Sequence, residues 1–219
     1  MSTQVLNYLD AIAHLPAGGT LILIDVPWEE YEQLLTDLGD HSGKRVTYDN
    51  GRLEVMSPSL KHENFTRVIE RLACAIAEAA DIPIECLGST TYKQEVAARG
   101  VEPDACFYIR NASRIVGKER IDLNIDPPPD VVVEIDISHG SKTKFAIYAG
   151  MGVPELWHCD DRRARIYALI DESYVEIPAS KVFPILRSEV LSRFVEQGIT
   201  EGQTSMLKSI RAWLRAQQS

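Results

Sequence analysis

The run VVVEIDI at residues 131–137 restricts the fold more than any other segment. Side chains alternate along a strand, so Val131, Val133, Ile135 and Ile137 share one face while Val132, Glu134 and Asp136 share the other. A run this rich in β-branched residues reads as a strand interior to a sheet. Carboxylates in such a place are costly unless they are paired or hold a metal ion. Glu134 and Asp136 therefore either lie at the strand's exposed end, pair with lysine or arginine, or bind a cation.

Around this strand the order of elements is that of a mixed α/β protein. The first 20 residues read as a short helix ending at LPAGG. A β-rich run follows, then Pro27 and an amphipathic helix stopped by Gly39. The segment KRVTYDNGRLEVMSP is a hairpin, because Asn50-Gly51 tolerates the positive φ of a tight turn between alternating flanks. In residues 60–80, Phe65, Val68, Ile69, Leu72, Ile76 and Ala79 recur at helical spacing and form one stripe. IPIECLGSTTYKQEV and VEPDACFYIR read as two strands joined near Gly100. After a polar, proline-rich connection and the strand at 131–137 come a serine and glycine turn and the helix KTKFAIYAGMG. A hairpin (PELWHCD, RARIYAL), a short strand (YVEIPAS) and two helices from Ser188 complete the chain.

The length of 219 residues suits one domain with a terminal appendage, large enough to fold without disulfides or a structural metal. The four cysteines show no CxxC pair or zinc spacing, and Cys74, Cys106 and Cys159 read as small buried hydrophobes in a reducing compartment. The start lacks a basic leader and no apolar run could span a bilayer, so a cytoplasmic protein without membrane attachment is expected. A net charge of −9 argues against broad electrostatic attraction to nucleic acid, although a bound metal ion would supply positive charge locally. No GxGxxG or GxxxxGK[ST] motif offers a phosphate-cradling loop.

Asp104 follows Pro103 and opens another apolar strand. Alone, a Pro-Asp pair is a common turn. Together with a carboxylate 30 residues later and a nearby lysine, it suits phosphodiester hydrolysis. Carboxylates hold Mg²⁺, the ion polarises the phosphoryl oxygen and acidifies a bound water, and an ammonium group stabilises developing charge. Such chemistry requires Asp104 and Glu134 on one side of the sheet, within reach of a single ion.

VEPDACFYI, DVVVEIDIS, KFAIYAGMGVPELW and GRLEVMSPS...HE together resemble the Uma-type restriction endonuclease family of bacteria, within the PD-(D/E)xK nuclease superfamily. The resemblance covers about residues 27–167. It implies a restriction-endonuclease-like α/β core, a mixed sheet with flanking helices and an N-terminal β-hairpin, over residues 1–187, with 188–219 as a helical tail. It implies Mg²⁺- or Mn²⁺-dependent cleavage of DNA, with Asp104 and Glu134 as metal ligands and Lys144 as the catalytic amine. The superfamily places its lysine two residues after the glutamate; this chain has Asp136 there, and Lys144 matches the family's displaced lysine. Asp136 is then a third ligand or a partner of Lys144, and Lys142 is a lower-ranked rival amine. Glu63 is a lesser metal candidate and His62 a lesser phosphate contact, although a first-turn Glu63 also suits the helix dipole. Ser89, Thr90 and Thr91 need no function. A homodimer is expected from the family's habit of cutting both strands and from the stripe Leu207, Ile210, Trp213 and Leu214, which equally suits docking on the chain's own core. The competing reading is a catalytically silent nuclease-fold binding or assembly protein.

Overall fold

The computed structural model describes residues 3–39, 43–137 and 142–217. Its described helices are α1 (Thr3–Ala13), α2 (Trp28–Leu38), α3 (Leu60–Ala80), α4 (Ala112–Ile115), α5 (Lys142–Gly150), α6 (Ser188–Thr200) and α7 (Gln203–Gln217). The strands β1 (Thr20–Leu23), β2 (Arg45–Asp49), β3 (Arg52–Met56), β5 (Tyr92–Gln94) and β6 (Arg99–Val101) make one antiparallel sheet, ordered β1-β3-β2-β6-β5. A second sheet, ordered β11-β10-β9-β8-β7-β4, is built from β4 (Glu85–Cys86), β7 (Ala105–Tyr108), β8 (Val131–Asp136), β9 (Glu155–Asp160), β10 (Ala164–Ile170) and β11 (Ser173–Ile177). Its one parallel pair is β8 with β9, the two strands that α5 connects. The expected serine and glycine turn before α5 falls at 138–141, outside the described residues, as does the side chain of Lys142.

Local chemistry accounts for the element ends. Asn50 and Gly51 take φ of 47° and 88°, the pair of positive values a two-residue hairpin turn demands. Ser59 caps α3 by accepting a hydrogen bond from the His62 N–H at 3.2 Å. The alternation along β8 separates two cores. Val131, Val133 and Ile135 pack with α3, α6 and α7, whereas Val132 packs with Ile147 and Tyr148 of α5 and with Met151 just after it. Glu134 shares the face of Val132 and so points toward α5.

Four details depart from the sequence expectations. The two strands anticipated between 82 and 110 are each divided, with β5 and β6 in the first sheet and β4 and β7 in the second. The chain changes sheets within three residues: the Glu102 N–H bonds to Val46 O and the Asp104 N–H bonds to Val133 O, both at 3.1 Å. Pro103, between them, has no N–H to satisfy. Gly100 lies inside β6 rather than in a turn, and the position requires glycine because a Cβ there would sit 2.0 Å from the Tyr31 hydroxyl. Cys74 is exposed on the outer side of α3, in contact with Cys86, while Cys106 and Cys159 are buried as expected. Ala79, read as part of the α3 stripe, is exposed in the helix's last turn.

The helices from Ser188 close over the second sheet. Leu191, Phe194, Met206, Ile210 and Leu214 join the core beside α3, so the apolar stripe of α7 docks on its own chain. The packing is close where α6 meets α3: a Cβ on Gly198 would lie 2.6 Å from Val68 Cγ1. Among the described residues no helix is long and apolar enough to cross a membrane.

This contact predicts an inverted glycine effect. Replacing a mid-helix glycine by alanine ordinarily stabilises by about 1 kcal/mol. Gly198→Ala should instead destabilise by about 1–3 kcal/mol through overpacking. Urea unfolding checks it, and a gain in stability would show that α6 does not press on Val68.

Candidate functional site

A cleft opens where the two sheets meet. Thr20, Thr47 and Glu54 line it from the first sheet, His62 from the start of α3, and Asp104, Glu134 and Lys144 from the second sheet and α5. Asp104 and Glu134 thus stand on the same side, as nuclease chemistry requires. Asp104 brackets its neighbour. Its N–H donates to Val133 O at 3.1 Å, and its Oδ2 accepts from the Ile135 N–H at 2.7 Å, one residue either side of Glu134. The other oxygen, Oδ1, is buried without a hydrogen-bond partner.

Two cationic groups attend Asp104. His62 Nε2 lies 3.1 Å from Oδ2, and Arg45 Nε lies 4.0 Å from Oδ1. Arg45 is itself buried on β2, and its terminal nitrogen bonds to Glu63 Oε1 at 3.1 Å. Glu63, the lesser metal candidate, is therefore the partner of Arg45. His62, the lesser phosphate candidate, is the neighbour of Asp104. Behind them Glu102 accepts from the Val46 N–H at 2.9 Å and from the Thr91 hydroxyl at 2.6 Å, securing the sheet crossing.

Glu134 is 1% exposed and bonded at both oxygens. Lys144 Nζ donates to Oε2 at 2.9 Å, and the Tyr148 hydroxyl donates to Oε1. Lys144 and Tyr148 stand four residues apart on α5, so one helical face delivers both. Asp136, expected as a third ligand or as the partner of Lys144, lies 2.8 Å from His158 Nε2. His158 faces Glu134 in the parallel register of β8 and β9, and Arg165 bridges from its Nδ1 to Asp160.

Burial dominates the electrostatics. It pushes Glu134 up from 4.5 to about 7, with help from the Asp104 charge and against the pull of Lys144 and Tyr148. Burial also acts to raise Asp104, but His62, Lys144 and the Ile135 N–H outweigh it and hold that carboxyl below its usual range. Desolvation would lower His62 and Lys144; the surrounding carboxylates raise both, Lys144 chiefly through Glu134 and then Asp104. Asp104 is thus the more strongly ionised acid, and Glu134 titrates near neutrality.

A divalent cation can be tested against this donor set. Asp104 lines the cleft and its buried Oδ1, which has no hydrogen-bond partner, is a hard oxygen of the kind that fits Mg²⁺ or Mn²⁺. Glu134 lies beside it, although both its oxygens bond to side chains of α5. Among the described residues no group of three or more His, Cys, Asp or Glu side chains converges on one metal position. The protein ligands would accordingly be two acids, with waters completing the shell.

Of the polar residues gathered in and around this cleft, the sequence points to Asp104, Glu134 and Lys144 and not to Arg45, Tyr148 or His158. Tyr148 was detectable from its spacing to Lys144, and His158 from a parallel pairing of the strands on either side of α5. No local signal points to Arg45.

The burial of Glu134 predicts a pH effect on stability. Its proton is held more tightly in the folded chain than in the unfolded one, so this group's stabilising contribution is complete below about 4.5 and lost as pH rises through about 7. In metal-free buffer the wild type should lose up to about 1.4 kcal/mol per pH unit from this source. Glu134→Gln should flatten that slope, as read by denaturant titration at several pH values; an unchanged slope would contradict the assignment.

The family described as Uma2, "Putative restriction endonuclease", matches residues 28–197, most of the chain. Among solved structures, "a putative nuclease belonging to DUF820 from Anabaena variabilis ATCC 29413" matches with a TM-score of 0.52 and 18% identity, covering 78% of this chain and 99% of that one. At that identity the likeness is one of fold, and it agrees with the restriction-endonuclease-like core, flanking helices and hairpin expected from the sequence. No curated protein matches. On the extent of the family match and the shared fold, the chain belongs to the Uma2 family.

Proposed function

We propose that the protein is a metal-dependent endonuclease that hydrolyses DNA phosphodiester bonds in the cleft between its sheets. One observation carries the reading: a buried carboxylate oxygen of Asp104 lacks a hydrogen-bond partner, beside a second acid and a lysine. Asp104 and Glu134 would hold Mg²⁺ or Mn²⁺, which when bound polarises a phosphoryl oxygen and acidifies a water. His62 and the Ile135 N–H both engage Oδ2 of Asp104, which leaves Oδ1 without a hydrogen bond. Arg45, anchored by Glu63, offers its Nε, which makes no hydrogen bond, to a phosphate oxygen. Lys144 holds its proton firmly and serves as a fixed positive charge for the developing negative charge of the transition state. Asp136, held by His158, borders the same cleft and is the reserve ligand. The chain would act in the cytoplasm, and pairing of two copies would bring two such sites to opposite DNA strands.

A silent binding module is the second reading. It is favoured by the Lys144 and Tyr148 bonds, which leave Glu134 fully satisfied without a metal, and by the net charge of −9.

Plasmid nicking separates the two. With Mg²⁺ or Mn²⁺ the wild type should nick and linearise supercoiled DNA, and chelation should stop it. Asp104→Ala and Glu134→Ala, each with its fold verified by circular dichroism, should lose at least about 100-fold in rate, a loss of about 2.7 kcal/mol in transition-state stabilisation. Wild-type protein that binds DNA without cutting it under any divalent metal would favour the silent module.

A further inference from the structure

Cys74 and Cys86 meet at the surface away from the cleft, Sγ to Sγ 3.5 Å apart. Cys74 is exposed on α3, and Cys86 is half-buried on β4, the edge strand of the second sheet. Both line an open groove with Arg67, Glu70, Arg71 and Arg211, so a small solute reaches the sulfurs from solvent. We propose that Cys74 and Cys86 are a redox-active dithiol, which a hydroperoxide oxidises reversibly to an intramolecular disulfide that braces α3 to β4. Bond formation requires the sulfurs to close by about 1.5 Å, shared between two side chains.

The pair has the asymmetry that such chemistry uses. The sulfur contact with Cys86 lowers the Cys74 thiol to about 7, against burial and against the charges of Glu70 and Glu78. The same contact, with burial, raises Cys86. Cys74, the more exposed sulfur and the one whose thiol the contact acidifies, acts as the attacking sulfur. It attacks the terminal peroxide oxygen, the O–O bond breaks, and the departing alkoxide takes a proton to leave as an alcohol. Cys74 is oxidised to the sulfenic acid. Cys86 sulfur then displaces the sulfenic hydroxyl, which leaves as water with the Cys86 proton, and the S–S bond forms. The two thiols lose two electrons and the peroxide gains them; a cellular dithiol reverses the change.

The brace has structural reach. Helix α3 carries His62 in its first turn, and β4 pairs with β7, the strand that follows Asp104, through Cys86 and Phe107. Oxidation therefore ties together the helix and the sheet edge that carry the two partners of the His62–Asp104 contact.

The test treats the full chain with hydrogen peroxide at a few equivalents and uses neither DNA nor metal, so its outcome is independent of nuclease activity. Intact-mass measurement should show loss of two hydrogens, and peptide mapping a Cys74–Cys86 crosslink, both reversed by dithiothreitol. Cys106 and Cys159, buried in the core, should remain thiols. The oxidised protein should melt several degrees higher than the reduced form, and Cys86→Ser should accumulate a dimedone-reactive sulfenic acid at Cys74. Persistence of both free thiols in the wild type, overoxidation of Cys74 without the crosslink, or a disulfide between two chains would each overturn the proposal.

Discussion

The bond from Asp104 to the backbone of β8 is the constraint on which the site depends. A single residue uses its N–H on Val133 and its carboxylate on Ile135, so Glu134 is fixed between two anchored positions. The same residue ends the crossing from one sheet to the other, where Glu102 bonds back to β2. Few arrangements could hold a buried carboxylate here. The charge-assisted bond from a backbone N–H offsets part of the desolvation, and His62 offsets more. The second oxygen is left with a cost that a cation would relieve.

Glu134 shows the opposite balance. Its oxygens are satisfied by Lys144 and Tyr148, and burial keeps its proton affinity high. The two acids therefore differ: the neighbours of Asp104 favour its ionised form, while burial disfavours that of Glu134 against the pull of Lys144. A buried pair of this kind gives little net stability, because attraction mainly offsets desolvation. The dithiol of Cys74 and Cys86 sits on the far part of the same helix-and-sheet unit, away from this chemistry.

Much of this was readable from the chain. Period-two alternation in 131–137 sorted Val131 and Val133 from Val132 and Glu134, and these residues do face two different cores. Asn50-Gly51 located the hairpin through backbone sterics alone. The sheet change at 102–104 was not readable, because strand propensity is silent about which sheet a strand joins. Arg45 escaped for the same reason: its partners Glu63 and Asp104 are distant in sequence and meet only through tertiary packing. Cys74 looked like core because it lies in an apolar run, yet its place on the helical wheel turns it outward to Cys86. Tyr148 obeyed a local rule, standing one helical turn from Lys144, and was legible though missed.

The central claim is that Asp104 and Glu134 share one divalent cation. Isothermal titration of Mn²⁺ into the wild type and Asp104→Asn tests it without reference to catalysis. The account predicts a single saturable site per chain in the wild type, and affinity at least about 10-fold weaker in Asp104→Asn, equal to about 1.4 kcal/mol. Equal affinity in the two proteins, with both folded, would contradict it.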